Sequence, residues 1–318
     1  MKFGFVVSVR GPLANEASVR ALAQAGETLG FDYVSMTDHV VVPNAIASAY
    51  PYTQDGAFPA GESGECLELL SMLSFVAGAT KTIRLITSVM VLPHRPAVLT
   101  AKMLATIDVL SGGRVTVGCG VGWMKEEFEA LGAPPFARRG KVADEYLAAF
   151  RTLWTEQDPR FEGEHVRFGD LAFEPKPLQK PHPPLWIGGE SDAAMRRAVR
   201  LADGWYPMGL NPRRPLDTLE RLRGGVERLH GFAREAGRDP ASLSLAYIAP
   251  WYDPTKPSIL ADGSRRLLTG EPARIADDIA ALRDLGVGTL ILSFARRTLD
   301  RSVAGMERFV QEIRPQAG

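Results

Sequence analysis

One rhythm runs through the whole chain and limits what it can fold into. Short, nearly continuous apolar runs rich in β-branched residues alternate with longer stretches of 3.6-residue period. The runs read as strands at Lys2–Val9, Tyr33–Thr37, Ile83–Leu92, Arg114–Gly120, Leu185–Ile187, Trp205–Met208, Leu243–Ile248 and Thr289–Phe294. The periodic stretches predict helices, among them Asn15–Leu29 (closed by Gly30), Cys66–Ala79, Ala97–Leu110, Gly140–Thr155, Asp192–Ala202 and Pro272–Leu285. Such alternation builds βα units around a parallel sheet. A strand as apolar as Thr289–Phe294 needs cover on both faces. Eight units predict an α/β fold of the (β/α)8 TIM-barrel type, rather than a doubly wound sheet, as one domain over 1–318. Irregular stretches near 40–65, 156–184 and 250–270 read as insertion loops, the first long enough to serve as a lid.

The barrel reading says where chemistry belongs, because active sites of such barrels lie at the C-terminal ends of the strands. The second strand ends in Asp38-His39, a carboxyl–imidazole pair able to hold or move a proton near neutral pH; a capping Asp and a loop His are the alternative. Gly118, Gly120 and Gly122 follow the fourth strand in VGCGVGW. Position 123 is Trp, so the dinucleotide fingerprint fails there. Glycines at a strand end still admit a flat ring close to the backbone, or simply make a tight turn. Gly188 and Gly189 stand between a strand and a helix opened by Ser191. Main-chain amides there suit a phosphate, while Ser191 can cap the helix or bond a phosphate oxygen. His94 and Arg95 follow the third strand and face either the pocket or a surface loop.

Bulk properties remove other classes. Lys plus Arg and Asp plus Glu are both 37, so no basic surface invites nucleic acid. Cys66 and Cys119 form no CxxC pair; free thiols in a cytoplasmic protein are expected, with a disulfide left open. The opening apolar run is cut by Arg10, Gly11 and Pro12, and no run reaches membrane-spanning length, so neither a signal peptide nor a membrane anchor is expected. There is no HExxH, no Cys/His ligand spacing, no GxSxG elbow and no P-loop, which argues against metal, serine-hydrolase and NTPase chemistry.

The segments SMTDHV, RLITSVMVLPHRPAVLTAKMLATIDVLSGGRVTVGCGVGW, PPLWIGG, LADGWYP and LLTGEPARIADDIAALRDLGVGTLIL together resemble the bacterial luciferase-like monooxygenase superfamily, closest to its coenzyme F420-dependent oxidoreductase branch. The likeness runs from about residue 2 to 313, and LATIDVLSGGRVTVGCGVGW with its trailing EEF is its most specific part. The resemblance implies a luciferase-like barrel, a deazaflavin (F420) coenzyme and a homodimer. It assigns His39 to a place beside the reactive ring and Asp38 to ring positioning. It implies a non-proline cis peptide at Ser88-Val89 bracing the ring. It also implies coenzyme contacts at Gly118, Gly120 and Gly122, and a phosphate turn at Gly188, Gly189 and Ser191. Sugar-phosphate dehydrogenases of the family carry a catalytic glutamate where this chain has Trp123, so no sugar-phosphate substrate is expected. Trp123 instead shapes an apolar substrate pocket with His94, or simply packs. The implied reaction is hydride transfer between deazaflavin and a small organic molecule, with His39 handling the proton. The alternatives are an FMN-dependent monooxygenase and a barrel that binds flavin without catalysis.

Overall fold

The computed structural model describes residues 1–59 and 65–317; positions 60–64 of the expected 40–65 insertion, and position 318 of the expected domain, lie outside them. In chain order the strands are β1 (Lys2–Val6), β2 (Tyr33–Met36), β3 (Arg84–Thr87), β4 (Met90–Val91), β5 (Val115–Gly120), β6 (Phe161–Glu162), β7 (Arg167–Phe168), β8 (Leu185–Gly188), β9 (Gly204–Tyr206), β10 (Ser244–Ala249) and β11 (Val287–Leu292). The helices are α1 (Glu16–Thr28), α2 (Leu69–Ala79), α3 (Ala97–Ser111), α4 (Lys125–Ala130), α5 (Arg139–Thr155), α6 (Asp192–Leu201), α7 (Leu219–Glu235), α8 (Pro272–Asp284) and α9 (Leu299–Arg308).

Parallel pairing runs β3-β2-β1-β11-β10-β9-β8-β5, and β3 closes the circle on β5 through Leu85 opposite Val115 and Ile86 opposite Thr116. The expected (β/α)8 barrel is therefore present. Side chains pointing outward, such as Val34, Leu85, Val117 and Ile187, pack beneath the helices. The inward ones, Tyr33, Ile86, Trp186, Tyr206, Ala246, Ile248 and Ile291, fill the barrel as a second core. That inner plug, with Trp186 tilted against Tyr33 and edge-on to Tyr206 at 5.8 and 6.0 Å, is the floor on which the mouth rests.

The departures from the expected elements have local causes. The third strand is not continuous: the chain turns at a cis peptide between Ser88 and Val89, and β4 resumes by pairing Met90 with Cys119 and Val91 with Gly120. The cis bond is where the resemblance put it. Helix α2 starts at Leu69 rather than Cys66 because the Glu68 carboxylate accepts the Ser71 N–H at 2.7 Å and caps it there. Helix α7 starts at Leu219 because Thr218 accepts from Arg221 N–H. Gly30 closes α1 with φ +73°, as its type requires. The 156–184 insertion carries the small antiparallel pair β6–β7. No helix among the described residues is long and apolar enough to cross a membrane.

Candidate active site

A cavity of about 710 Å3 opens at the C-terminal ends of the strands. Asp38 and His39 reach it from the end of β2, Ser88 and Val89 from the β3–β4 break, His94 from beyond β4, Trp123 from beyond β5 and Ser191 from beyond β8. These sequence-predicted residues therefore share one chamber.

His39 is set by a residue that the sequence reading did not single out. Its Nδ1 lies 2.9 Å from Oε2 of Glu127, on α4, whose side chain is almost wholly buried. Oε1 of Glu127 accepts the N–H groups of Val40 and Val41 at 2.7 and 3.3 Å. Burial pushes the Glu127 carboxyl up, but the His39 and Val40 hydrogen bonds outweigh it and hold it below the ordinary value. An ionised Glu127 requires Nδ1 of His39 to be the donor, which leaves Nε2 to carry or receive a proton. The EEF run after Trp123 was the available signal: one of two adjacent glutamates must turn inward on a short helix.

Asp38 lines the cavity with both oxygens engaged. They form a two-pronged ion pair with Arg95 at 2.9 and 2.8 Å, and Oδ2 also accepts the Val91 N–H at 2.8 Å. Arg95 is further held by Glu68 at 2.7 Å. Asp38 thus braces the β2 end against the β3–β4 break. His94 is 7% exposed, and neither ring nitrogen has a hydrogen-bond partner among the described residues. Its Nδ1 is 3.9 Å from Oε1 of Glu127, its ring meets Phe128 edge-on, and burial lowers its basicity.

The glycines let the chain approach itself; Gly120, Gly122 and Gly188 also line the cavity, while Gly118 does not. A Cβ on Gly118 would fall 2.1 Å from the Thr87 carbonyl oxygen, on Gly120 2.6 Å from Val89 Cγ2, and on Gly188 2.8 Å from Val89 Cγ1. On Gly122 it would meet the Phe128 ring at 2.6 Å. These positions are bare so that the chain can approach itself around Val89. Gly189, with φ +98°, makes the turn into α6. Ser191 caps that helix by accepting the Ala194 N–H at 3.1 Å, which leaves its O–H free to donate and the earlier amides without intrahelical partners. Arg139 and Arg197 also line the cavity, Arg197 being ion-paired with Asp144.

Two further groups went unread in the sequence. Glu190, inside GGES, is 2% exposed; burial pushes its carboxyl up to about 7 despite hydrogen bonds from Met208 N–H and Asn211 Nδ2 at 3.0 and 3.3 Å. Tyr206 shares a 2.9 Å hydrogen bond with Ser88, and burial pushes its phenol up to about 12. Over the mouth, Trp123 packs with Tyr50 and Phe58 at centroid distances of 5.0 Å each, and Phe58 reaches His39 at 5.1 Å. Glu126 fastens this loop by accepting the Ala47 and Ser48 N–H groups at 2.9 and 3.0 Å. Away from the cavity, Glu145, Glu164 and His165 bring ligand-type atoms together, but the Glu145 carboxylate already accepts the N–H groups of Glu164, His165 and Val166.

A family model described as luciferase-like monooxygenase matches residues 1–252. An uncharacterized protein of Mycobacterium tuberculosis is 34% identical, over 82% of this chain and 89% of its own length. The FMNH2-dependent dimethylsulfone monooxygenase of Pseudomonas putida is 29% identical, over 86% of this chain and 82% of its own. Among solved structures, an F420-dependent secondary alcohol dehydrogenase superposes with a TM-score of 0.76 at 17% identity, covering 100% of this chain and 99% of that one.

Proposed function

Because the chain belongs to the luciferase-like monooxygenase family, we propose that it is a coenzyme F420-dependent oxidoreductase acting on a small organic substrate. The observation that carries this reading is the His39–Glu127 pair at the mouth: an imidazole of fixed tautomer, with one nitrogen free for a proton, lining the cavity.

The chamber fits a planar heterocycle with an anionic tail. Val89 and the Ser88–Tyr206 hydrogen bond supply a firm wall. The Gly189–Ser191 turn, with the O–H of Ser191 and the cations Arg139 and Arg197, suits a phosphate. When bound, the coenzyme supplies the hydride donor or acceptor. His39 gives or takes the accompanying proton at Nε2. Glu127 offsets the charge of the imidazolium that results, and Asp38 keeps the β2 end in place through Arg95. Tyr50, Phe58 and Trp123 limit water at the mouth and give the substrate an apolar, aromatic contact.

The second reading, an FMN-dependent monooxygenase, is supported by the identity with the dimethylsulfone enzyme. Titrating the purified protein with F420 and with FMN, following ring fluorescence, separates the two. Micromolar binding of F420 alone supports the first reading, and of FMN alone the second. Binding without turnover on any substrate panel would leave a barrel that only holds flavin. A homodimer belongs to the same proposal; sedimentation at twice 34.6 kDa supports it and at 34.6 kDa refutes it.

A further inference from the structure

Five charged groups crowd around the two histidines of the mouth. Asp38, Glu68 and Glu127 bring three carboxylates; Arg95 bridges the first two, while Arg10 lies over the Phe58 ring. The other titratable neighbours, Cys66 and Tyr50, are kept neutral because burial raises both. Among the described residues no guanidinium is ion-paired with Glu127, so its charge is met by the imidazoles. Two imidazoles approach that carboxylate from opposite oxygens: His39 at 2.9 Å from Oε2 and His94 at 3.9 Å from Oε1. His94 is buried, and neither of its nitrogens has a hydrogen-bond partner among the described residues, an arrangement that is costly when left unsatisfied.

We propose that His39 and His94 share one exchangeable proton against the single charge of Glu127, so that either imidazole is cationic but not both. The proton rests on Nε2 of His39, ready for transfer into the cavity, or on His94, in reserve. His94 is then a positioning residue acting through Glu127: it sets how readily His39 releases or regains its proton. The neutral partner keeps the cluster balanced whichever ring is charged. The consequence for turnover rests on the reading of His39 given above, but the proton sharing itself does not.

Long-range 1H–15N correlation NMR reads the tautomer and charge of each of the five histidines without coenzyme or substrate. The titration runs over about pH 5–9 on the wild type and on His39→Gln, His94→Gln and Glu127→Gln. Sharing predicts that the two rings titrate in staggered steps, the second needing at least a tenfold higher proton concentration than the first. It predicts that His39→Gln raises the proton affinity of His94 at least tenfold, and that Glu127→Gln lowers the proton affinity of both rings. A His94 midpoint indifferent to both His39→Gln and Glu127→Gln overturns the proposal. If those variants fail to fold, independent one-proton curves for the two rings of the wild type overturn it alone. Failure here leaves the F420 reading standing, because that reading is tested by coenzyme binding.

Discussion

His39 and Glu190 show how neighbours turn ordinary side chains into chemical ones. The imidazole was legible because it follows a strand of a βα unit, and the barrel rule gives that place meaning. Glu127 was not legible as its partner, since only the turn of α4 brings two positions 88 residues apart together. Replacing His39 with Ala should lower turnover by about 10²–10⁴-fold with little change in coenzyme affinity, as loss of a general acid–base does; stopped-flow reduction alongside fluorescence titration checks both. Unchanged turnover removes His39 from the reaction. Glu190 makes a stability prediction. Its carboxyl ionises near 4.5 in the unfolded chain and near 7 when folded. The folded state holds this proton more tightly, so its contribution is complete below pH 4.5 and is lost as pH rises through about 7. By linkage the loss is about 3 kcal/mol. Glu190→Gln should flatten that slope in urea denaturation between pH 5 and 8, and an unaltered slope rejects the assignment.

At the scale of elements, the caps and the break in the third strand carry the argument. The period of the apolar residues located the helices, but their first residues were fixed by Glu68, Ser191 and Thr218, each accepting an N–H three positions on. Residues 83–92 read as one strand because hydrophobicity does not encode a turn; only the resemblance placed a cis bond at Ser88-Val89. The glycines were read as room for a ring or as a tight turn; a Cβ at any of the four would meet the chain itself, at Val89, the Thr87 carbonyl or Phe128. Gly118→Ala should therefore destabilise the fold by about 1–3 kcal/mol or more, from overpacking against a main-chain oxygen. A chemical melt that does not move would show that β5 can shift away from β3 freely.

On the scale of the whole molecule, eight apolar strands and their intervening helices were enough to foresee a closed barrel, since parallel strands need cover on both faces. The division of the interior was not foreseeable: Trp186, Tyr206 and Ile248 plug the barrel, and the cavity begins only above them. A ligand that binds the folded mouth stabilises the entire domain by mass action. F420 at one hundred times its dissociation constant should raise stability by about 2.7 kcal/mol, seen as a higher melting temperature. FMN at that same concentration should leave the melt unmoved if the first reading is right.

Lys125–Ala130, a helix of fewer than two turns, grips the mouth twice through adjacent residues: Glu126 fastens the 47–48 segment and Glu127 fixes the imidazole. Anything that tilts this helix would loosen the doorway and shift the proposed base in one movement. Admission and reactivity are mechanically tied here, so a chain drifting toward bulkier substrates would have to revise its doorway and its base in step.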